Sequence, residues 1–261
     1  MNALRLYGRY IATSIRSQRQ YPASVIATSI GAFAATITDF IGIWALFARF
    51  HRLEGWGFAE VALLYGVVSV AFALADSLTR GFDVFGEQFV KTGDFDRLLV
   101  RPRSTILQLL GYELRVTRIG RLGQGMLAWG VGAHLSHIGS TTSWAILGFA
   151  VAGGIALFGG ILLLQATFAF WTVESLELAN TLTYGGVEAG QYPLDVYARW
   201  FRDFLVYVVP IGCVSYFPVS VVLGRASAWP YALTPFFGFA FLAVSLWVWR
   251  FGVRHYTSTG S

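Results

Sequence analysis

Charge is scarce in this chain of 261 residues. Aspartate, glutamate, arginine and lysine make up 13% of the sequence, whereas hydrophobic residues make up 56%. Soluble domains carry about 25% charged residues. The composition is therefore typical of an integral membrane protein, and we expect membrane lipids around it and no nucleic-acid partner.

Lysine and cysteine each occur once, at Lys91 and Cys213. A phosphate-binding P-loop has glycine directly before its lysine, and Val90 stands there instead. One cysteine also excludes an internal disulfide framework and a Cys-x-x-Cys metal site. No Ser-His-Asp or Cys-His set stands out, so we expect no enzyme activity, no metal and no cofactor on this chain.

Long apolar runs fill most of the sequence. A helix needs about 20 apolar residues to cross a hydrocarbon core. The runs predict an all-α integral membrane protein, with a single transmembrane domain over residues 1–261 and six transmembrane helices. Their expected ranges are 24–48, 60–79, 106–135 with its embedded part from 119, 144–172, 203–222 and 231–250.

The first 21 residues contain four arginines and no acid. Apolar side chains recur there at spacings of three and four, with arginines on another face, which predicts an amphipathic helix in the membrane interface. The segment has no apolar core followed by a small-residue cleavage site, so it does not read as a signal peptide.

Arginine and lysine residues indicate the orientation, because they concentrate in cytoplasmic segments. With the N-terminus inside, sixteen of them fall on the inner side and three on the outer side. We therefore expect both termini in the cytoplasm.

The stretch FVKTGDFDRLLVRPRS, residues 89–104, concentrates charge between two apolar runs, and we call it the elbow. Asp94 follows Gly93 and is expected to cap a short helix that Pro102 ends. The preceding Phe82, Phe85 and Phe89 are spaced for one apolar helical face. The elbow should lie on the inner face of the membrane with its charges outward.

A second charged stretch, residues 174–203, is expected to form another cytoplasmic elbow. It contains Glu174 and Glu177 near its start and Arg199 and Arg202 near its end. The glutamates lack a nearby histidine or metal ligand, so a solvated or partner-facing acidic turn is the preferred interpretation over a catalytic pair.

Two carboxylates lie inside predicted spans, where an ionised acid costs about 2.5–3.5 kcal/mol on insertion scales. Asp76 has Arg80 four residues on, which favours a salt bridge between them. Asp39 has no basic residue nearby in the sequence, so it either faces a polar seam between helices or contacts what passes through. If both carried protons, the chain would be a secondary transporter or channel.

Three motifs carry a resemblance to a known family. TGDFDRLLVRP in the elbow, QYPLDVYARWFR with a later VVP and SYFP, and a terminal RHYTSTGS resemble permease subunits of ATP-binding-cassette (ABC) exporters. The similarity is to the type-two branch of these exporters, in a bacterial subfamily of about this length, and it covers essentially the whole chain.

The resemblance implies half of an efflux transporter in the bacterial cytoplasmic (inner) membrane. Its partners would be separate ABC ATPase subunits, which bind ATP and Mg²⁺, and a second permease that is either an identical copy or a paralogue. It also implies a re-entrant segment on the outer side, for which residues 215–230 fit. Carried over by position, the coupling site for the ATPase is Gly93, Asp94, Phe95, Asp96, Arg97, Arg101 and Pro102.

Overall fold

The computed structural model describes residues 3–113, 118–171, 176–226 and 228–257. These parts of the chain are almost entirely helical. The α-helices are α1 (Ala3–Gln18), α2 (Pro22–Phe50), α3 (Phe58–Leu78), α4 (Arg80–Asp83), α5 (Asp94–Leu99), α6 (Thr105–Leu110), α7 (Ile119–Leu135), α8 (Thr141–Phe168), α9 (Leu176–Gly190), α10 (Arg199–Asp203), α11 (Ile211–Val214), α12 (Tyr216–Val222), α13 (Ala228–Ala232) and α14 (Phe236–His255). Single π-helical turns occupy Gly86–Val90 and Phe204–Val208, and a 3₁₀ turn occupies Leu194–Val196.

Four helices in the described ranges are long and apolar enough to cross a membrane, namely α2, α3, α8 and α14. They correspond to four of the six predicted spans, with boundaries displaced by one to five residues. The predicted third span forms α6 and α7, and α7 begins at Ile119, where the embedded part was expected. The predicted fifth span is a bent pair of helical segments, so six spans are not established by length and composition.

Helix α3 lies at the centre of the bundle. Its side chains are apolar on every side, and a helix with this pattern is expected to be buried. All residues from 61 to 73 are buried in the structure. Helices α7 and α8 make most of its contacts, and α2 and α9 touch it at fewer positions.

Glycines allow α7 to approach α3 closely. A Cβ atom on Gly132 would lie 2.3 Å from the backbone nitrogen of Leu63, and one on Gly66 would lie 2.3 Å from that of Trp129. Small residues bring helix backbones together in membranes, where packing rather than the hydrophobic effect drives association. The glycine-rich sequence of α7 therefore determines this contact.

The contacts also fix the direction of each helix. Gly132 lies beside Leu63 and Gly125 beside Ser69, so α7 runs antiparallel to α3. The bundle therefore has two ends. The elbow end carries the elbow together with α4 and α6, and the far end carries the α2–α3 turn at residues 51–57.

Two helical segments, Arg199–Val208 and Ile211–Val222, form the bent pair, with an angle of 70° between them. Pro210 at the break has no backbone N–H, and the residue before a proline avoids helical conformation, so the helix cannot continue. Val209 is extended, with φ −118° and ψ 94°. The predicted re-entrant region, residues 215–230, thus begins within the second limb of the bend and leaves out the first limb. Pro218 does not interrupt α12.

The second limb of the bent pair and the residues on either side of the pair meet at Trp56, at the far end. The Trp56 indole N–H donates to Asp195 Oδ2 at 3.0 Å, and the Tyr216 hydroxyl donates to the same oxygen at 2.8 Å. Arg225, which follows the second limb, lies over the Trp56 ring at 4.4 Å and pairs with Glu60. Trp56 is buried by these contacts.

The close contact of α3 with α7 yields a stability prediction. Gly132→Ala places a methyl group against backbone that cannot move independently, and overpacking of this kind typically costs about 1–3 kcal/mol. We expect a lower temperature of thermal aggregation for the purified variant in detergent. Gly130→Ala on the same helix is the control, because nothing lies within 4 Å of its added Cβ. Equal behaviour of the two variants would contradict this packing.

Candidate functional site

The elbow is built on helix α5. Gly93 precedes it with a positive φ of 71°, a conformation that glycine adopts without steric cost. Asp94 is the first residue of the helix rather than its cap, and its carboxylate pairs with Arg97 at 2.9 Å. The predicted capping role of Asp94 is therefore wrong: Gly93 occupies the cap position, and no side chain caps the helix.

Phe95 anchors the elbow to the bundle. Its side chain is 0% exposed, and its ring lies 5.0 Å from Phe85, 5.3 Å from Phe170 and 6.2 Å from Trp249. Phe170 follows the end of α8, and Trp249 belongs to α14. Aromatic pairs contribute about 0.5–1.5 kcal/mol each beyond the area they bury. The cluster therefore ties the elbow to the ends of two candidate spans.

A buried glutamine, Gln108, also holds the elbow in place. The Gln108 side chain in α6 donates to the carbonyl oxygens of Leu98 and Arg103, at 3.1 Å and 3.2 Å. Carbonyls at the end of a helix lack partners within the helix, and a side chain must supply them when they are buried. Gln108 thus holds the segment after α5 in a defined position.

The outer surface of the elbow combines positive charge with apolar area. The Arg97 side chain is 81% exposed and Val100 is 83% exposed. Arg101 and Pro102 are also exposed, whereas Phe95 is not. Of the seven residues expected to form the coupling site, the structure brings the charged ones to the surface and assigns Phe95 an internal role.

A groove separates the elbow from the N-terminal helix. It has a volume of about 370 Å³ and is lined by α1 on one side and by elbow and α6 residues on the other. Tyr10 of α1 packs against Gly111, where a Cβ atom would lie 2.3 Å from its ring. Tyr7, Ile11 and Ile15 are partly buried while Arg5 and Arg9 are exposed, so the predicted amphipathic pattern of α1 is confirmed for these residues.

The second predicted elbow is not a single element at the elbow end. Along α9, Tyr184 contacts Phe72 of α3, and Gln191 just beyond the helix donates to Ser69. The helix thus advances toward the far end, where Asp195 meets Trp56.

Arg199 and Arg202, which follow Asp195, therefore begin the bent pair at the far end, and their predicted placement beside the first elbow is wrong. Glu174 lies outside the described residues, as does the side chain of Glu177. The prediction failed because α9 is only 15 residues long and contains several polar residues. Its sequence therefore did not indicate a helix that passes through the bundle.

Asp76 is buried at the elbow end of α3, with 1% of its side chain exposed. Its Oδ2 lies 2.9 Å from Nε of Arg118, which directly precedes α7, and 3.8 Å from Arg121 on α7. Arg80 pairs with Asp83 instead. The predicted Asp76–Arg80 salt bridge is therefore wrong, because the partners of Asp76 come from the neighbouring helix.

Asp39 lines a polar cavity between α2, α3, α7 and α9. The cavity has a volume of about 90 Å³. Its walls include Asp39, Tyr65, Arg121, Gln124, Tyr184 and Glu188. This placement agrees with both alternatives that the sequence left open for Asp39: the residue lies in a polar seam between helices, and its side chain is exposed to whatever passes through.

Comparison with known proteins identifies the family. The family model described as "ABC-2 family transporter protein" matches residues 33–260. The chain belongs to the ABC-2 transporter family. It is accordingly a multi-pass membrane component of an ABC transporter, as the elbow and C-terminal motifs indicated. No curated protein and no solved structure matches this ABC-2 chain.

Sequence reasoning missed most of the polar seam of this ABC-2 protein. Arg121 and Gln124 lie three residues apart on α7 and face α3, where Arg121 also lies 5.5 Å over the Phe72 ring. The spacing of Arg118, Arg121 and Gln124 was the available signal, since three polar residues on one face of an apolar helix need polar partners.

Asp76 and Asp39 yield a prediction on stability. Asp76→Asn leaves two arginines without their counter-charge, and breaking a buried pair from one side costs about 3–5 kcal/mol. We expect a marked loss of thermal stability in detergent. Asp39→Asn, the same substitution on an exposed carboxylate of α2, should leave the stability unchanged. If both variants melt alike, Asp76 does not hold α3 to α7.

Proposed function

We propose that this chain is the permease subunit of an ATP-driven exporter, and that the elbow together with α1 receives a separate ATPase subunit. The observation that supports this most is the construction of the elbow. It presents Arg97, Val100 and Arg101 outward while Phe95 fixes it to the bundle. ATP and Mg²⁺ would bind to the ATPase subunit.

Rigidity gives the elbow its role in coupling. The aromatic cluster around Phe95 joins α5 to the residues that end α8 and to Trp249 on α14. A displacement imposed on α5 therefore moves these helices together, since packed elements shift as units rather than deform continuously. Hydrolysis on the partner would in this way change the shape of the membrane domain.

We further propose six crossings, formed by α2, α3, α7, α8, α9 and α14, with the bent pair re-entrant from the outer side. Both termini and the elbow then lie in the cytoplasm. With Arg199 and Arg202 moved to the far end, the arginine and lysine residues of the described ranges still divide thirteen to five in favour of the elbow end. The positive-inside rule thus supports this orientation.

A single-cysteine experiment tests the topology. In a Cys213→Ser background, Arg199→Cys should react with a membrane-impermeant maleimide in intact spheroplasts. Arg101→Cys should react only after permeabilisation, because both side chains are exposed but lie at opposite ends. Labelling of both variants from the same side would contradict the proposed path of α9.

The complete transporter would contain two permeases in a bacterial inner membrane. The second is either a copy of this chain or a paralogue, and it would complete the translocation pathway. Asp39 and Glu188 are exposed on this protein, yet isolated carboxylates are unfavourable in lipid. The surface that carries them is therefore better suited to a water-filled pathway or a partner subunit than to acyl chains.

The alternative of a secondary transporter or channel relies on Asp39 and Asp76 as proton carriers. Asp76 lies between Arg118 and Arg121, which suits a structural ion pair. A transport assay on the purified complex distinguishes the two functions. Transport by the exporter requires a nucleotide-hydrolysing partner, whereas transport by the alternative proceeds on a proton gradient alone.

Charge reversal tests the elbow as the ATPase contact. Asp94→Lys with Asp96→Lys should leave membrane insertion intact but release the ATPase during purification in detergent, because the contact surface becomes uniformly basic. Asp203→Lys at the far end is the control and should retain the ATPase. Normal co-purification and ATP turnover of the elbow variant would remove this site from the proposal.

A further inference from the structure

The cavity lined by Asp39 has a distinct chemical character. It lies between α2, α3, α7 and α9 and opens to the surface at Asp39 and Glu188, and its volume is about 90 Å³. One water needs about 10–15 Å³ measured in this way. The cavity therefore has room for several waters, or for a small polar group in their place.

Two carboxylates in the cavity have no counter-ion. Asp39 and Glu188 are exposed, and within the described ranges neither forms an ion pair. Arg121 also lines the cavity, but it interacts with Asp76 and lies over the Phe72 ring. The cavity thus offers negative charge that the protein does not itself neutralise.

An independent observation indicates a ligand. Gln124 is 1% exposed and lines the same cavity, and its Nε2, beside the Tyr65 hydroxyl, has no well-formed hydrogen bond. A buried donor without a partner costs about 1–3 kcal/mol. A bound group with an acceptor oxygen would remove that cost.

Aromatic rings form part of the wall. Phe72 and Tyr184 are in edge contact, with ring centroids 5.6 Å apart, and both line the cavity together with Tyr65. Ring faces attract cations within about 6 Å. Arg121 already lies over the Phe72 ring, so Tyr65 and Tyr184 are the rings that remain for a cationic ligand.

We propose that this cavity binds the cationic amine of an amphipathic cargo molecule, with Asp39 and Glu188 as the counter-ions. The inference rests on the proposed exporter function and specifies its substrate class. The Gln124 amide favours a cargo that carries a hydroxyl or carbonyl oxygen near the amine. The apolar part of the cargo would remain outside the cavity, in the space between subunits or lipid.

A matched pair of fluorescent probes tests the proposal. Dansylcadaverine carries a primary ammonium, and its N-acetyl derivative is neutral but otherwise similar. Binding is measured by dansyl fluorescence with the complex of permease and ATPase in lipid nanodiscs, corrected with empty nanodiscs. We expect the amine to bind about tenfold more tightly, as charge-assisted hydrogen bonds are stronger than neutral ones.

Substitution of the two carboxylates tests whether they cause the preference for the amine. Asp39→Asn and Glu188→Gln should each reduce the preference for the amine, and the double variant should abolish it. Asp203→Asn removes the same charge from the far end and should leave the preference intact. Equal binding of the two probes to the unmodified complex overturns the proposal, as does a preference that survives in the double variant.

The result is separate from the test of the exporter function. A complex that assembles and hydrolyses ATP but does not distinguish the probes retains the exporter function and loses the amine site. Equal binding would also be the outcome if a second permease, rather than a ligand, covered the two carboxylates. A permease without an ATPase partner would remove the exporter function whatever its affinity for the amine.

Discussion

The burial of α3 is the constraint on which the rest of the structure depends. Its sequence is apolar on every side, so other helices must cover it completely. Helix α7 does so through glycines, and α8, α2 and α9 cover the remaining faces. Glu60, near the first end of α3, pairs with Arg225. Asp76, near its other end, pairs with Arg118 at the start of α7. The central helix thereby positions both ends of the bundle.

The two ends differ in how they hold the chain. At the elbow end, aromatic rings around Phe95 form a dry contact, which has little dependence on charge. At the far end, Asp195 and Arg225 reach Trp56 through hydrogen bonds and a cation–π contact, and Arg225 is partly exposed to solvent. Such contacts are weaker near water and exchange more readily. The far end is therefore the part better suited to opening, whereas the elbow is suited to transmitting motion.

The sequence predicted the long elements well and the long-range pairings poorly. Runs of about 20 apolar residues identified α2, α3, α8 and α14, and the spacing of Phe82, Phe85 and Phe89 identified a face that is buried. Helix α9 was missed because its Tyr184 and Glu188 line a polar cavity, while hydropathy assumes that a helix in the membrane faces lipid. The partner of Asp76 was also missed, because local spacing favoured Arg80 and cannot reveal arginines on α7. The family resemblance, in contrast, depended on short motifs, which can be recognised without knowing the long-range contacts.

The scarcity of lysine has a practical consequence for the elbow. Lys91 is the only lysine of the chain, and it is exposed next to α5. Amine-reactive cross-linkers can therefore join a side chain of this protein to a neighbour at that position alone. A covalent product with a second protein that peptide mapping assigns to Lys91, rather than to the terminal α-amine, would mark the elbow as the point of contact without any engineered residue.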